Sequence, residues 1–287
     1  MKKMFMAVIA LMMTISASAQ FYIYCSDGNV IKVDSISMVA PSYDETPGIG
    51  TFSVSADKQV TFSKGNLQYT QSTDTWSFAD NQYDYLGEAN IAIDADVLAD
   101  KVGLFGWSTN TTNFGVSTST DDEDYSGSFI DWGTNKIGND APNTWRTLTY
   151  DEWYYLRYTR TNADALCGVA QVNGVNGLIF LPDNWTCPAG VTFKSGFHSG
   201  YMGAYAAYQT FTADQWSKLE KSGAVFLPAA GDRYGSGVSN VQSYGYYWSA
   251  TESTTCAAIH FFFRSEAAGM NEYERYYGLS VRLVKDL

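Results

Sequence analysis

The sequence predicts an α+β domain: two helices packed on short, mostly antiparallel strands, in a loop-rich chain. Three observations predict it. Helix-opening capping boxes occur at Thr149-x-x-Glu152 and Thr212-x-x-Gln215, each followed by apolar residues at helical spacing. Short runs alternate apolar and other residues, the clearest from Cys256 to Arg264. Glycine is frequent and proline scarce, 25 against 6 in 287 residues, which suits many turns and few helices.

In chain order, residues 1–19 have the pattern of a secretory signal. Lys2 and Lys3 are basic, Phe5 to Met13 is apolar, and Ser16 to Ala19 are small residues ahead of Gln20. The apolar run is too short for a permanent membrane span. The mature chain is therefore expected outside the cytoplasm, as an extracellular, cell-surface or periplasmic protein without membrane insertion. Residues 20–40 suit a small β-hairpin turning at Ser26-Asp27-Gly28-Asn29. Residues 41–50, with Pro41 and Pro47, suit a linker, and 51–287 the main domain.

Strands are expected at 52–54, 59–62, 66–69 and 76–78. Residues 79–100 suit a loop with one short helix, and 103–107 a compact aromatic turn. Buried strands follow at 177–182, 224–228 and 246–249. From Cys256 to Arg264, Ala257, Ile259, Phe261 and Phe263 share an apolar face that should meet a core. Cys256, Ala258, His260, Phe262 and Arg264 share the other, with no common chemistry. That mixture suits a strand whose outer side chains are free to differ. At 278–284, Leu279, Val281 and Leu283 again share one face.

Charge excludes some partners. Losing Lys2 and Lys3 with the signal takes the formal charge from −12 to −14, against nucleic-acid backbone or anionic lipid. Of four cysteines, Cys167 and Cys187, flanking Leu178–Leu181, are the expected disulfide, and Cys256 is expected unpaired. No cofactor is expected. The acidic run Asp121–Asp124 offers oxygen ligands for calcium but lacks spaced ligand positions. His198 and His260 are the only histidines, without a nucleophile elbow or zinc-ligand spacing. Arg146 and Arg282 are expected to pair with carboxylates, and the tryptophans to pack in the core. Glu272 to Tyr277, tyrosines mixed with charges, has the composition of a paratope.

Three motifs carry a resemblance. Trp145-Arg146-Thr147-Leu148-Thr149-x-x-Glu152-Trp153, Gly245-Tyr246-Tyr247-Trp248-Ser249-Ala250-Thr251 and Gly278-Leu279-Ser280-Val281-Arg282-Leu283-Val284 resemble signatures of bacterial C-type-lectin-fold domains. These are the Fibrobacter succinogenes major paralogous and formylglycine-generating-enzyme-like groups, and the first motif departs from theirs at Thr147 and Leu148. The segment between the last two motifs is similar to the variable region of diversity-generating-retroelement target proteins of gut Bacteroidetes. The resemblance implies a C-type lectin-like fold over 51–287 and a variable binding face. Its positions would be Glu252, Thr254, Cys256, Ala258, His260, Phe262 and Arg264, and in the following loop Glu266, Asn271, Glu272, Tyr273, Glu274, Tyr276 and Tyr277. The formylglycine-generating chemistry needs a second C-terminal cysteine beside Cys256, which is absent, so no enzyme is expected. A protein ligand is favoured over a glycan, because paired calcium-and-sugar motifs are missing. The alternative is a structural or adhesin-like surface component.

Overall fold

A computed structural model describes residues 48–87, 99–200 and 204–287, together with the backbone of 21–24 and 30–33. The chain divides into two units, Met1–Glu45 and Thr46–Leu287. In the first, β1 (Phe21–Tyr24) pairs antiparallel with β2 (Val30–Val33). The signal-like segment, most of the linker and residues 88–98 of the loop at 79–100 lie outside the described residues.

The second unit is built from small sheets. Among the described residues strand outweighs helix, 34% against 17%, and no barrel closes. Strand β3 (Phe52–Ser53) and β4 (Gln59–Phe62) open it. Then β5 (Leu67–Thr70) lies between β6 (Thr75–Phe78) and β7 (Lys101–Val102). Helix α1 (Tyr150–Tyr154) runs on into a π turn at Tyr155–Thr159.

The next hairpin joins β8 (Cys167–Val172) to β9 (Val175–Phe180) through Asn173-Gly174. Both turn residues have positive φ, 49° and 83°, as a tight two-residue hairpin requires. A short α2 (Tyr205–Tyr208), β10 (Thr210–Phe211), α3 (Ala213–Lys221) and β11 (Val225–Pro228) follow, and β10 and β11 flank the β8–β9 hairpin. A small hairpin of β12 (Asp232–Tyr234) and β13 (Gly237–Ser239) precedes the longest strands. These are β14 (Gly245–Glu252), β15 (Ala257–Arg264) and β16 (Ala267–Glu274), in that order in one antiparallel sheet. Strand β17 (Val284–Asp286) returns to pair with β4.

Both expected capping boxes form. Thr149 and Glu152 satisfy each other's backbone N–H groups at the head of α1, and Thr212 and Gln215 do so at α3. Glu152 also accepts from Arg146 at 2.7 and 2.8 Å and from Lys58 at 3.0 Å. Burial would raise its carboxyl, but these hydrogen bonds hold it below the usual range. Arg146 reaches Asp286 as well, at 2.7 Å, which ties the start of α1 to β17.

Three apolar clusters fill the unit. One is centred on Trp153, which stacks on Phe261 at 4.9 Å and 5°. A second holds Trp107, Trp132 and Trp248, and a third, under α3, holds Trp216 and Phe226.

Several expectations need correction. The Cys167 and Cys187 thiols are free, one buried and one exposed, so that bridge is not formed. Cys167 begins a buried strand, and burial pushes its thiol up to about 12. Cys256 is free, as the sequence reading expects. Arg282 meets side-chain amides rather than a carboxylate: Gln82 Oε1 at 2.7 Å and Asn66 Oδ1 at 3.4 Å. In segment 278–284, Ser280 and Arg282 are as buried as Leu279, Val281 and Leu283. Ile259 is only half-buried on its strand's core face.

Candidate ligand-binding face

Strand β15 lies in the middle of its sheet, so its side chains have neighbours on both sides. Tyr246 sits across from Phe262 and Trp248 from His260. On the other side Tyr273 faces Ala258, Asn271 faces His260, Gly269 faces Phe262 and Ala267 faces Arg264. Directly paired residues share a sheet face. The opposite face sends Tyr247, Phe261 and Phe263 into the core.

The mixed face is therefore real, but it is not uniformly open. Ala258 is 0% and His260 1% exposed, so neither is a free surface position. The reason is aromatic closure. His260 stacks on Tyr273 at 4.9 Å, and the Tyr246 and Trp248 rings approach it edge-on at 5.6 and 6.1 Å. Ala258 joins the cluster of Trp107 and Trp248. The Nδ1 atom of His260 is buried without a hydrogen-bond partner, and burial lowers the imidazole to about 3, so it is neutral at ordinary pH.

Beyond the buried pair the surface dips into a pocket of about 290 Å³. Five expected residues line it: His260, Phe262, Arg264, Asn271 and Tyr273. Tyr244, Tyr246 and Ala267 complete it, and the first two rings stack at 5.5 Å and 1°. Those tyrosines were missing from the expected set, although their period-two spacing ahead of Trp248 was a readable signal. Arg264 donates to the Tyr244 hydroxyl at 3.4 Å and holds Glu266 at 3.6 Å, which places Glu266 at this edge.

The expected loop from Glu266 to Tyr277 is strand from Ala267 as far as Glu274. Alternation then divides it. Asn271 and Tyr273 join the pocket face, whereas Glu272 and Glu274 project from the other side. Glu272 accepts a hydrogen bond from Ser253 Oγ. The chain next turns, with Tyr277 N–H donating to the Glu274 carbonyl at 3.0 Å. Tyr277 stacks on Tyr273 at 4.4 Å and Tyr276 on Tyr277 at 5.4 Å.

Arg275 roots this turn, a role its surroundings in the sequence did not reveal. It is 1% exposed and lies 4.4 Å over the Trp107 ring. Its guanidinium donates to the carbonyls of Gly127 at 2.9 Å and Thr254 at 2.6 Å, and to Glu252 Oε2 at 3.2 Å. Glu252, Thr254 and the half-buried Cys256 thus gather beside Arg275, away from the pocket lining, with Cys256 Sγ 3.5 Å from Thr254 Oγ1.

The acidic run is a 3₁₀ turn, Asp122–Tyr125, capped by Asp121, which accepts from Glu123 N–H at 3.1 Å. Among the described residues no three His, Cys, Asp or Glu side chains gather as a metal group, and no helix is long and apolar enough to cross a membrane.

A family model described as a domain of unknown function (DUF8237) matches residues 208–284. The match runs from the last residue of α2 to the first of β17 and so includes the whole β14–β16 sheet. No curated protein matches the chain, and no solved structure does. Across 208–284 the chain is similar to that family, whose matched region carries the pocket and the tyrosine turn.

Proposed function

We propose that the chain is an exported binding protein on a C-type-lectin-like scaffold, whose β14–β16 face engages a protein ligand. The observation that carries this reading is the pocket itself. It lies on the side of β15 that the alternation leaves chemically mixed, and the reverse side of the same strand is core. Tyr244, Tyr246, Phe262 and Tyr273 offer rigid aromatic area, and Arg264 and Asn271 offer polar contacts at its edge. Binding proceeds by burial and hydrogen bonding without covalent chemistry. The scaffold assignment rests on the three motifs, which fall on structural elements: one opens α1, one forms β14, and one runs buried beside β14, bridged through Ser280 to Tyr247.

The retroelement reading belongs to this proposal. Among the fourteen positions, twelve reach the surface at least in part, and these are the ones expected to differ between sibling cells. Ala258 and His260 should differ least, since their replacement disturbs packing. Identical codons throughout, with no template repeat near the locus, would remove this part of the reading.

The test is capture on a mixed protein and glycan array with the mature chain and a Phe262→Ala/Tyr273→Ala variant. The expected result is a protein partner whose affinity drops about tenfold or more in the variant. A partner set bound equally by both would overturn the assignment of this face.

A further inference from the structure

Tyr234 stands on the β12–β13 hairpin and is 53% exposed. Its ring meets Tyr276 edge-on at 5.8 Å and 73°, and Tyr277 at 5.3 Å and 47°. Through the Tyr277–Tyr273 stack, this group is continuous with the pocket wall. Four phenol rings therefore form one patch that crosses from the sheet face onto a separate hairpin. The sequence gives no hint of the join, because Tyr234 lies about forty residues from the others in a stretch of turns.

The charged groups that act on Tyr276 and Tyr277 are acidic. Glu274 and Asp122 are exposed. Burial first, then Glu274, raises the phenols of Tyr276 and Tyr277, with Asp122 adding to the first and Asp232 to the second. The arginines of this region point inward. Arg233 is 0% exposed and donates to the carbonyls of Gly235 at 2.8 Å and Leu104 at 3.3 Å, and Arg275 is spent on carbonyls and Glu252 as described. Aromatic ring faces are negative, and a carboxylate beside them adds to the same field. A flat guanidinium satisfies both, because it stacks on a ring and pairs with a carboxylate through two N–H groups. The formal charge of −12 favours approach of such a partner at low salt.

We propose that Tyr234, Tyr276, Tyr277 and Glu274 form a docking site for an arginine-bearing segment of the protein ligand. This rests on the reading that the adjoining β14–β16 face binds a protein, and it names the chemistry of one stretch of that protein.

The test uses an acetylated and amidated Gly-Arg-Gly-Arg-Gly peptide, with its neutral citrulline counterpart as control, followed by tyrosine resonances in the full chain. The arginine peptide should bind and the citrulline peptide should not. Tyr234→Ala and Glu274→Gln should each weaken binding roughly three- to fivefold, and added salt should weaken it further. Phe262→Ala, in the neighbouring pocket, should leave the peptide's affinity unchanged. Equal binding of the citrulline peptide, or affinity unmoved by both Tyr234→Ala and Glu274→Gln, would overturn the proposal. If the arginine peptide fails while a captured partner still depends on Phe262, this inference falls and the pocket reading stands. If the peptide behaves as expected while no partner responds to Phe262→Ala, the pocket assignment falls instead.

Discussion

His260 shows how a surface-like position in the sequence becomes an interior one. Alternation places it on the outer side of β15, yet Tyr273 and Tyr246 close over it from the two neighbouring strands. Its Nδ1 atom is left without a partner, which costs stability that a phenyl ring would not. His260→Phe should therefore be at least as stable as the wild type at pH 7. The pH dependence sharpens this. The folded imidazole is lowered to about 3, against 6.5 for the free side chain. As pH falls, the unfolded chain takes the proton first. The contribution of this group is therefore complete above about 6.5 and drains away toward about 3, at about 1.4 kcal/mol per pH unit. Urea melts of both proteins from pH 7 to 4 should diverge by that slope, with the variant the flatter. Parallel curves would contradict the buried neutral imidazole. Arg275 gives the converse lesson. It was legible only as one charge among tyrosines, because its shortest hydrogen bonds go to backbone carbonyls at Gly127 and Thr254 that no side-chain pattern encodes.

At the scale of elements, what the sequence announces locally is what the fold keeps. The capping boxes at Thr149 and Thr212 act over three residues, and both helices begin there. The period of β15 is also local, and Phe261 and Phe263 reach the core as expected. Non-local features were harder to see. The burial of Ala258 depends on Trp248 and Tyr273, which belong to other strands. The missed β8–β9 hairpin is different, since Asn173-Gly174 between apolar runs is a strong turn signal that was available. Adjacent phenylalanines test the two sides of β15. Phe261→Ala removes a ring stacked on Trp153 and should cost about 3–5 kcal/mol, whereas the half-exposed Phe262→Ala should cost about 1 kcal/mol or less. Denaturant midpoints at constant slope would measure both, and equal losses would mean that the faces are misassigned.

For the molecule as a whole, the coarse α+β class was legible from composition, turns and capping boxes, whereas the pairing of sheets was not. Strand β4 accepts β3 on one side and β17 on the other, and nothing near Gln59–Phe62 in sequence names the second partner. Val284 is fully buried there, and Asp286 anchors Arg146. Deleting residues 284–287 should lower stability by about 4 kcal/mol, with tryptophan fluorescence and circular dichroism lost in one transition. An unchanged midpoint would show that this closing strand is dispensable.

The same pairing imposes an order in time. Val284 seats against Phe62 only after a loop on the order of two hundred residues has been made. Until then β4 has an open edge and the Phe62 cluster lacks one wall. Before that pairing forms, this unit must be kept from self-association by something other than its own finished structure.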